Sequence, residues 1–156
     1  MSDTKSLKGY MTSLEINGSR YPHRLQNILI REYCHRQSAA YLFSLTEVSV
    51  MGAYFVLSDL IRIKSQYDGV VFFSLTMLPS KAEQRRAVYQ LIEDGKEIHF
   101  CLEQLVISSV DDIEAVEQIL SVRHTLSKVP FGGRYSYTAL KDTDFMMFLD
   151  IQADTY

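Results

Sequence analysis

The stretch INGSRYPHRLQN, residues 16–27, concentrates hydrogen-bond donors and cations directly ahead of an apolar helical pattern. A helix N-terminus favours anions, because its first N–H groups are unpaired and the macrodipole is positive there. Arginine can grip a phosphate or carboxylate through two N–H groups, so Arg20 and Arg24 are candidate anion ligands. His23 titrates near neutral pH and is a candidate general acid or base. The other predicted substrate-binding residues of this stretch are Ser19, Gln26 and Asn27.

The same stretch also has a purely structural interpretation. Arg20 and Arg24 then make surface salt bridges, and Ser19 caps a turn. No glycine-rich phosphate loop accompanies these residues, since neither a GxGxxG nor a GxxxxGK[ST] spacing occurs in the sequence. Both interpretations stay open at the level of sequence.

A second group of polar residues follows the predicted strands, where ligands bind in open α/β sheets. Glu47 and Glu103 each come just past an apolar strand. As functional groups they are candidate general bases or ligands of a sugar hydroxyl. As structural groups they cap a helix or pair with an arginine. Further strand-end residues, predicted to line a substrate site, are Ser13, Ser74 and Thr76; Ser13 acts as a nucleophile only with a base nearby.

The histidines and cysteines do not indicate a metal site or a cofactor. The four histidines lack paired ligand spacing such as HxxxH, and His99 is interpreted as a core residue in the middle of a strand. The two cysteines lie in apolar surroundings and are interpreted as buried free thiols of a reducing cytoplasm. The residues concerned are His23, His35, His99, His124, Cys34 and Cys101.

Strands and helices alternate along the part of the chain that must position these residues. The pattern predicts strands at 9–16, 39–45, 69–75, 97–103 and 105–108, and helices at 22–36, from Gly52 to about 65, after a Ser80/Glu83 capping box, and from Ser109. The run GVVFFSL (69–75) is typical of a central strand buried on both faces. Right-handed crossovers then give a three-layer α/β fold, with helices on both faces of a parallel sheet of four or five strands, as in flavodoxin-like proteins.

Composition narrows the class of protein. With 47% apolar residues, 22% charged residues and a net charge of −3, the chain is typical of a globular protein rather than a nonspecific nucleic-acid binder. It has no apolar run long enough to span a bilayer and no secretory h-region at its start, so we expect a cytoplasmic protein without membrane insertion. We expect an α/β domain over 1–126 and a C-terminal arm or extension over 127–156. The large apolar residues of that arm predict a homodimer or higher homo-oligomer.

The order of elements over about 8–108 resembles the catalytic domain of serine recombinases (resolvases). The likeness is carried by a GY-start strand, a first helix containing glutamine, and the segments DGVVFFSLTMLPS and GKEIHFCLE. In that family an arginine and a catalytic serine follow the first strand, and two arginines occupy the turn after the third. Here Met11 and Thr12 fill the first position, Ser13 is only near the second, and the turn 76–80 has no arginine. The resemblance therefore implies a recombinase-like fold without recombination or a nucleic-acid partner.

A second resemblance, over 9–125, is to the sporadic carbohydrate cluster proteins of bacterial surface-polysaccharide gene clusters. The strings that carry it are INGSRYPHRLQN, YLFSLTE, DGVVFFSLTMLP and IHFCLE. The resemblance implies a role in making an unusual surface sugar. It brings no established reaction, so no catalytic residue is carried over from the family.

Two functional hypotheses follow. In the first, the protein acts on a sugar phosphate or nucleotide sugar in lipopolysaccharide or capsule assembly. Arg20 and Arg24 hold the anion, and His23, with Glu47 or Glu103, handles protons in an isomerase, epimerase or lyase reaction. In the second, the protein is a non-catalytic scaffold or regulator of the polysaccharide pathway, built on a recombinase-like fold.

Overall fold

The computed structural model describes residues 4–47 and 53–128. The strands are β1 (Ser6–Thr12), β2 (Ala40–Glu47), β3 (Gly69–Phe72), β4 (Glu97–Phe100) and β5 (Leu105–Ile107). The helices are α1 (His23–Arg36), α2 (Phe55–Arg62), α3 (Ala82–Glu93) and α4 (Val110–Lys128). Short 3-10 turns follow α2 at Lys64–Gln66 and β3 at Leu75–Met77.

The five strands form one sheet in the order β2-β1-β3-β4-β5. All neighbouring pairs are parallel except β4 and β5. The β1–α1–β2 connection runs toward one edge and the next two connections run toward the other, so right-handed crossovers place α1 on one face and α2 and α3 on the opposite face. The helices α2 and α3 contact each other there. The predicted three-layer, flavodoxin-like α/β architecture is thus confirmed.

The centre of the core is β3, as the run GVVFFSL predicts. All four residues of the strand are buried, and Val70, Val71 and Phe72 have no exposed surface. The Phe72 ring makes an edge contact with Tyr10 at 5.0 Å between centroids and lies 5.7 Å from Phe100. Continuous β-branched and aromatic residues suit this strand because both of its faces meet a helical layer.

Three predicted strands extend too far at their carboxyl ends, and each has a turn as its cause. β3 ends at Phe72 rather than at 75, because the 3-10 turn Leu75–Met77 follows it. β1 ends at Thr12 rather than at 16, because Ile16 and Ser19 pair through both backbone hydrogen bonds around a two-residue turn. Asn17 and Gly18 occupy that turn at φ of 54° and 74°, the left-handed region that an Asn-Gly pair adopts readily. β4 ends at Phe100 rather than at 103, since 101–104 form a tight turn.

The tight turn also explains why β5 is antiparallel. A parallel neighbour of β4 needs a crossover connection of a dozen residues or more, and 101–104 are too few. The predicted capping box at Ser80 is likewise absent: α3 begins at Ala82 with Lys81 in the N-cap position and no side-chain cap. At the other end Gly95 has a φ of 73°, as predicted for the residue after a helix.

The chain divides into two compact units, Met1–Glu117 and Gln118–Tyr156. Of the second unit the structure describes only the end of α4, where residues 121–128 are exposed. The predicted arm lies outside the described residues from position 129 onward. No helix in the described part of the chain combines the length and the apolarity that crossing a membrane requires.

His99 is a core histidine, as its mid-strand position predicts. It is 4% exposed, its Nδ1 lies 2.9 Å from the Tyr33 hydroxyl, and its Nε2 lies 3.3 Å from the Glu97 carboxylate. Because an ionised carboxylate only accepts, Nε2 carries the proton and Nδ1 accepts from Tyr33. Burial lowers the pKa of His99 despite the opposing attraction of Glu97.

A pH dependence of stability follows from this neutral histidine. In the unfolded chain a histidine has a pKa of about 6.5, whereas folded His99 binds its proton only at lower pH. The contribution of neutral His99 to the free energy of unfolding is therefore fully present above about pH 6.5. It is lost as the pH falls toward the folded pKa, by at most about 1.4 kcal/mol per pH unit. We expect the free energy of unfolding in urea to change less with pH, between pH 7.0 and 5.5, for His99→Gln than for the unchanged protein. The control variant His35→Gln, which replaces an exposed histidine, should show the same change of unfolding free energy with pH as the unchanged protein.

Candidate functional site

A small cleft lies at the carboxyl ends of β1, β2 and β3, where an open α/β sheet binds ligands. It encloses about 70 Å³. Its floor is formed by residues at the strand ends and its rim by the segment that leads into the Ile16–Ser19 turn. The lining residues are Tyr10, Thr12, Leu14, Glu15, Ile16, Glu47, Tyr54, Thr76 and Met77. The lining is rich in hydroxyl and carboxylate groups, which suits a ligand with several hydroxyls.

Glu47 lies at the floor of this cleft but is only 2% exposed. Its position follows from the sheet register, which pairs Thr12 with Glu47 at the ends of β1 and β2. One carboxylate oxygen accepts from the Val56 N–H at 3.1 Å, and the other accepts from the Leu57 N–H at 3.0 Å and the Tyr10 hydroxyl at 2.7 Å. The carboxylate thus caps the first turn of α2, where unpaired N–H groups favour a negative charge. Burial and the Glu47 hydrogen bond raise the pKa of Tyr10, which remains a donor.

Glu103 has a similar arrangement at the neighbouring strand end. Its two oxygens accept from the Ser74 hydroxyl at 2.7 Å and from the Leu75 N–H at 2.9 Å. Ser74 has no exposed surface, and its oxygen in turn accepts from the Thr76 N–H at 3.3 Å. These bonds fix the 3-10 turn after β3. Thr76 lines the cleft, whereas Ser74 and Glu103 do not.

Gln26 ties the first turn of α1 to the end of β1. The side chain has no exposed surface, accepts from the Thr12 N–H at 3.2 Å, and donates to the Thr12 carbonyl at 2.7 Å and the Tyr21 carbonyl at 2.8 Å. A single buried amide therefore satisfies backbone groups on both sides of the opening stretch. Gln26 therefore positions the backbone beside the cleft without lining the cleft itself.

The cationic residues of the opening stretch are on the surface. The Arg20 side chain is 78% exposed, and its Nε lies 3.6 Å from Glu15, which lines the cleft. His23 and Arg24 are the first two residues of α1 and are exposed; within the described residues neither side chain has a hydrogen bond or ion pair. The helix start has no side-chain cap. The cations of this stretch are therefore exposed, and Arg20 contacts the cleft lining through Glu15.

The remaining predicted site residues are dispersed. Ser19 is exposed and closes the backbone turn with Ile16. Asn27 accepts from the hydroxyls of Tyr41 and Ser44, away from the cleft lining. Ser13 directly follows β1 and does not line the cleft. The structure thus brings Glu47 and Thr76 into the cleft, with Arg20 at its edge, and leaves His23 outside it.

Sequence reasoning missed most of the cleft lining. Tyr10 is an apolar strand residue by pattern, and Tyr54 lies ahead of α2. The predicted first strand, 9–16, includes Leu14, Glu15 and Ile16 as extended residues. The Asn17-Gly18 pair was the available signal for them, because that dipeptide predicts a hairpin turn that folds the preceding residues back.

Within the described ranges, 4–47 and 53–128, no three histidine, cysteine, aspartate or glutamate side chains are grouped so that they would hold a metal ion. Cys34 and Cys101 are free and buried. Burial raises the pKa of each thiol to about 11. Both are therefore uncharged near neutral pH, as expected for inert core residues.

The sequence matches no established protein family and no curated protein sequence. A solved structure that the fold resembles is the N-terminal catalytic domain of TP901-1 integrase, a serine recombinase domain. The superposition covers 81% of this chain and 100% of that domain, with a TM-score of 0.57 and 14% sequence identity. The chain therefore has a recombinase-like fold, and a likeness at this identity concerns the fold alone.

The positions at which the resemblance to serine recombinases implies arginines hold other residues here. Thr12 ends β1, and the turn after β3 reads Thr76-Met77-Leu78-Pro79-Ser80 without an arginine. Cleavage of a phosphodiester needs cations around the transferring phosphoryl group. At the floor of this cleft the described charged group is the Glu47 carboxylate, which would repel a phosphate.

Proposed function

We propose that the protein binds a phosphorylated or nucleotide-linked sugar at the strand-end cleft, as a non-catalytic component of lipopolysaccharide or capsule assembly in the cytoplasm. The observation that carries the binding proposal is the composition of the cleft. Hydroxyl and carboxylate groups line it, and the exposed cations Arg20 and Arg24 lie in the segment that follows its rim. The assignment to surface-polysaccharide assembly depends on the resemblance to the sporadic carbohydrate cluster proteins.

The size of the cleft suits one edge of a sugar ring. At about 70 Å³ it holds a hydroxyl or hydroxymethyl group with its neighbouring carbons, while the rest of the ligand stays outside. Thr12, Thr76 and Glu15 supply acceptors and donors for hydroxyl groups. The phosphate then lies toward the start of α1, where unpaired N–H groups and Arg24 favour an anion.

Binding without turnover is supported by the state of the two carboxylates. Both oxygens of Glu47 accept backbone N–H groups of α2, and both oxygens of Glu103 are engaged with the turn after β3. A general base has to reach a substrate proton within hydrogen-bond distance. His23 does not line the cleft either, so the described residues do not assemble the isomerase, epimerase or lyase pair that the sequence predicts.

Substitution of the two arginines tests the proposed anion subsite. We expect Arg20→Ala and Arg24→Ala each to weaken sugar-phosphate binding by about 1–3 kcal/mol, because a charge-assisted hydrogen bond is lost. Folding should change little, since both side chains are exposed. Calorimetric titration of the full chain against a panel of sugar phosphates and nucleotide sugars measures the affinity, and mass spectrometry of the same mixtures detects turnover.

The matched control is Arg86→Ala, which removes an exposed arginine from α3. It should bind as the unchanged protein does. If Arg20→Ala and Arg24→Ala also bind normally, the opening stretch has no role in ligand binding. If any ligand of the panel is converted, the protein is an enzyme and the non-catalytic proposal fails.

A second candidate function is a scaffold for a partner enzyme. The observation that favours it is the exposure of apolar side chains on α4, among them Val122 at 58% and Leu126 at 55%. Such side chains are typical of a contact surface when they recur on one helix. Pull-down of a pathway enzyme without any small-molecule binding would favour this candidate. The predicted homo-oligomer formed through the arm 127–156 stays a prediction, since that segment lies outside the described residues from position 129 onward.

A further inference from the structure

The described lining of the strand-end cleft presents hydrogen-bond acceptors and no cationic side chain. Its polar side chains carry only oxygen: two carboxylates, two threonine hydroxyls and two tyrosine hydroxyls. Since none of the described lining side chains contains a nitrogen atom, they offer no ammonium, guanidinium, imidazole or amide donor. The two charged groups, Glu15 and Glu47, are both acidic. A ligand group that complements this lining therefore brings N–H donors and a positive charge.

Glu15 and Glu47 differ in how accessible they are to a ligand. Glu47 is 2% exposed and already accepts from two N–H groups of α2 and from the Tyr10 hydroxyl. The Glu15 side chain is 58% exposed, and its partner among the described residues is the Arg20 Nε at 3.6 Å. That separation is longer than a hydrogen bond, and an exposed ion pair of this kind is weak. Glu15 is therefore the carboxylate that a ligand cation can engage.

The turn between Ile16 and Ser19 places Glu15 next to Arg20. Ile16 and Ser19 exchange both backbone hydrogen bonds, so the residues that flank them, Glu15 and Arg20, come opposite each other. Glu15 lines the cleft, whereas Arg20 does not. The turn thus presents an acceptor for a cation inside the cleft and a donor for an anion directly outside it.

On the basis of the proposed sugar-phosphate binding, we infer that the group held in the cleft is a primary ammonium and that the ligand class is an amino sugar phosphate. The ammonium donates to Glu15, and its remaining N–H groups face the Thr12 and Thr76 hydroxyl oxygens of the same lining. The phosphate accepts from Arg20, so the ligand replaces one weak ion pair by two charge-assisted contacts. Glu15 is then the residue that selects an amino sugar over a sugar with a hydroxyl at the same carbon.

Matched pairs of ligands test the selection for an amine. Calorimetric titration of the full chain compares glucosamine 6-phosphate with glucose 6-phosphate, and glucosamine 1-phosphate with glucose 1-phosphate, at about pH 6.5, where the amine is largely protonated. The amino sugar of at least one pair should bind about tenfold more tightly than its hydroxyl counterpart. Glu15→Gln should remove this preference, because an amide carries no charge. The control Glu83→Gln, which changes an exposed glutamate of α3, should keep it.

Two results would overturn the ammonium assignment while the proposed sugar-phosphate binding stands: equal affinity within both pairs, or a preference that survives in Glu15→Gln. If no sugar phosphate binds, the proposed function fails, and glucosamine against glucose then tests the ammonium subsite without a phosphate. Nuclear magnetic resonance of the full chain labelled with carbon-13 glutamate follows the Glu15 carboxyl signal at constant ionic strength. A saturable shift with glucosamine but not with glucose, while the Glu83 signal stays in place, upholds the subsite. An unmoved Glu15 signal refutes it.

Discussion

Replacement of Glu47 by alanine should destabilise the protein by about 3 kcal/mol, although the residue lines the candidate site. The substitution leaves two N–H groups of α2 and the Tyr10 hydroxyl without their acceptor. Each buried donor that loses its partner costs about 1–3 kcal/mol, and the removal of a buried charge offsets part of the sum. Glu47→Gln keeps one acceptor oxygen and presents an amide NH₂ to the other N–H group, so an intermediate loss of about 1–2 kcal/mol is expected. Urea unfolding at pH 7 measures both.

Glu15→Ala is the matched control, because Glu15 is a second carboxylate of the same cleft. Its side chain is 58% exposed and pairs with Arg20 at 3.6 Å. An exposed pair of this kind contributes about 0–1 kcal/mol. Should Glu47→Ala prove as stable as Glu15→Ala, the carboxylate is not a helix cap. A catalytic or ligand-binding role would then be favoured, since residues kept for function often stabilise the fold when replaced.

Gln26→Leu should lose about 2–4 kcal/mol of unfolding free energy. The leucine fills a similar volume but leaves the Thr12 N–H, the Thr12 carbonyl and the Tyr21 carbonyl without the partners that Gln26 provides. The Thr12 groups are buried and the Tyr21 carbonyl is half-buried at the junction of β1 and α1, so water does not replace the amide easily. Urea unfolding compares the variant with Gln90→Leu, which changes an exposed glutamine of α3.

The Gln26 result also decides between two interpretations of the opening stretch. A substrate-binding glutamine would lose ligand affinity on replacement and keep its stability. A structural glutamine loses stability, and the ligand affinity follows only as the rim of the cleft moves. Equal stabilities of Gln26→Leu and Gln90→Leu would contradict the buried hydrogen-bond network described above.

The donor-rich residues ahead of the first helix fall into two groups with different roles. Gln26 and Ser19 serve the backbone, one by satisfying buried groups and the other by closing a turn. Arg20, His23 and Arg24 are exposed, so the fold does not require their charges. The structural interpretation thus accounts for the polar residues and for the surface pair of Arg20 with Glu15 at 3.6 Å. The exposed cations remain available to a ligand.

The amino-acid sequence by itself determined the layer architecture. The uninterrupted apolar run at 69–75 needs two covered faces, and alternation with helices supplies them, so a central parallel strand follows from the composition of one segment. The helix end at Gly95 and the cap at Ser109 and Asp112 are equally local, because each depends on a few neighbouring residues. Local chemistry of this kind can be predicted without knowledge of distant contacts.

Tertiary structure alone decided what the polar side chains do. A helix cap is one sequence-level interpretation of Glu47, but the residue lies eight positions before the first residue of α2, so only the fold decides that its carboxylate caps that helix. The cation–π contact of Lys8 with Phe43 depends on a one-residue bulge in the sheet register, which periodicity does not encode. His23 and Glu47 have suitable chemistry for a catalytic pair, yet the fold places only Glu47 in the cleft. A hydrogen bond depends on tenths of an ångström and on direction, whereas a sequence pattern specifies only which face of an element is buried.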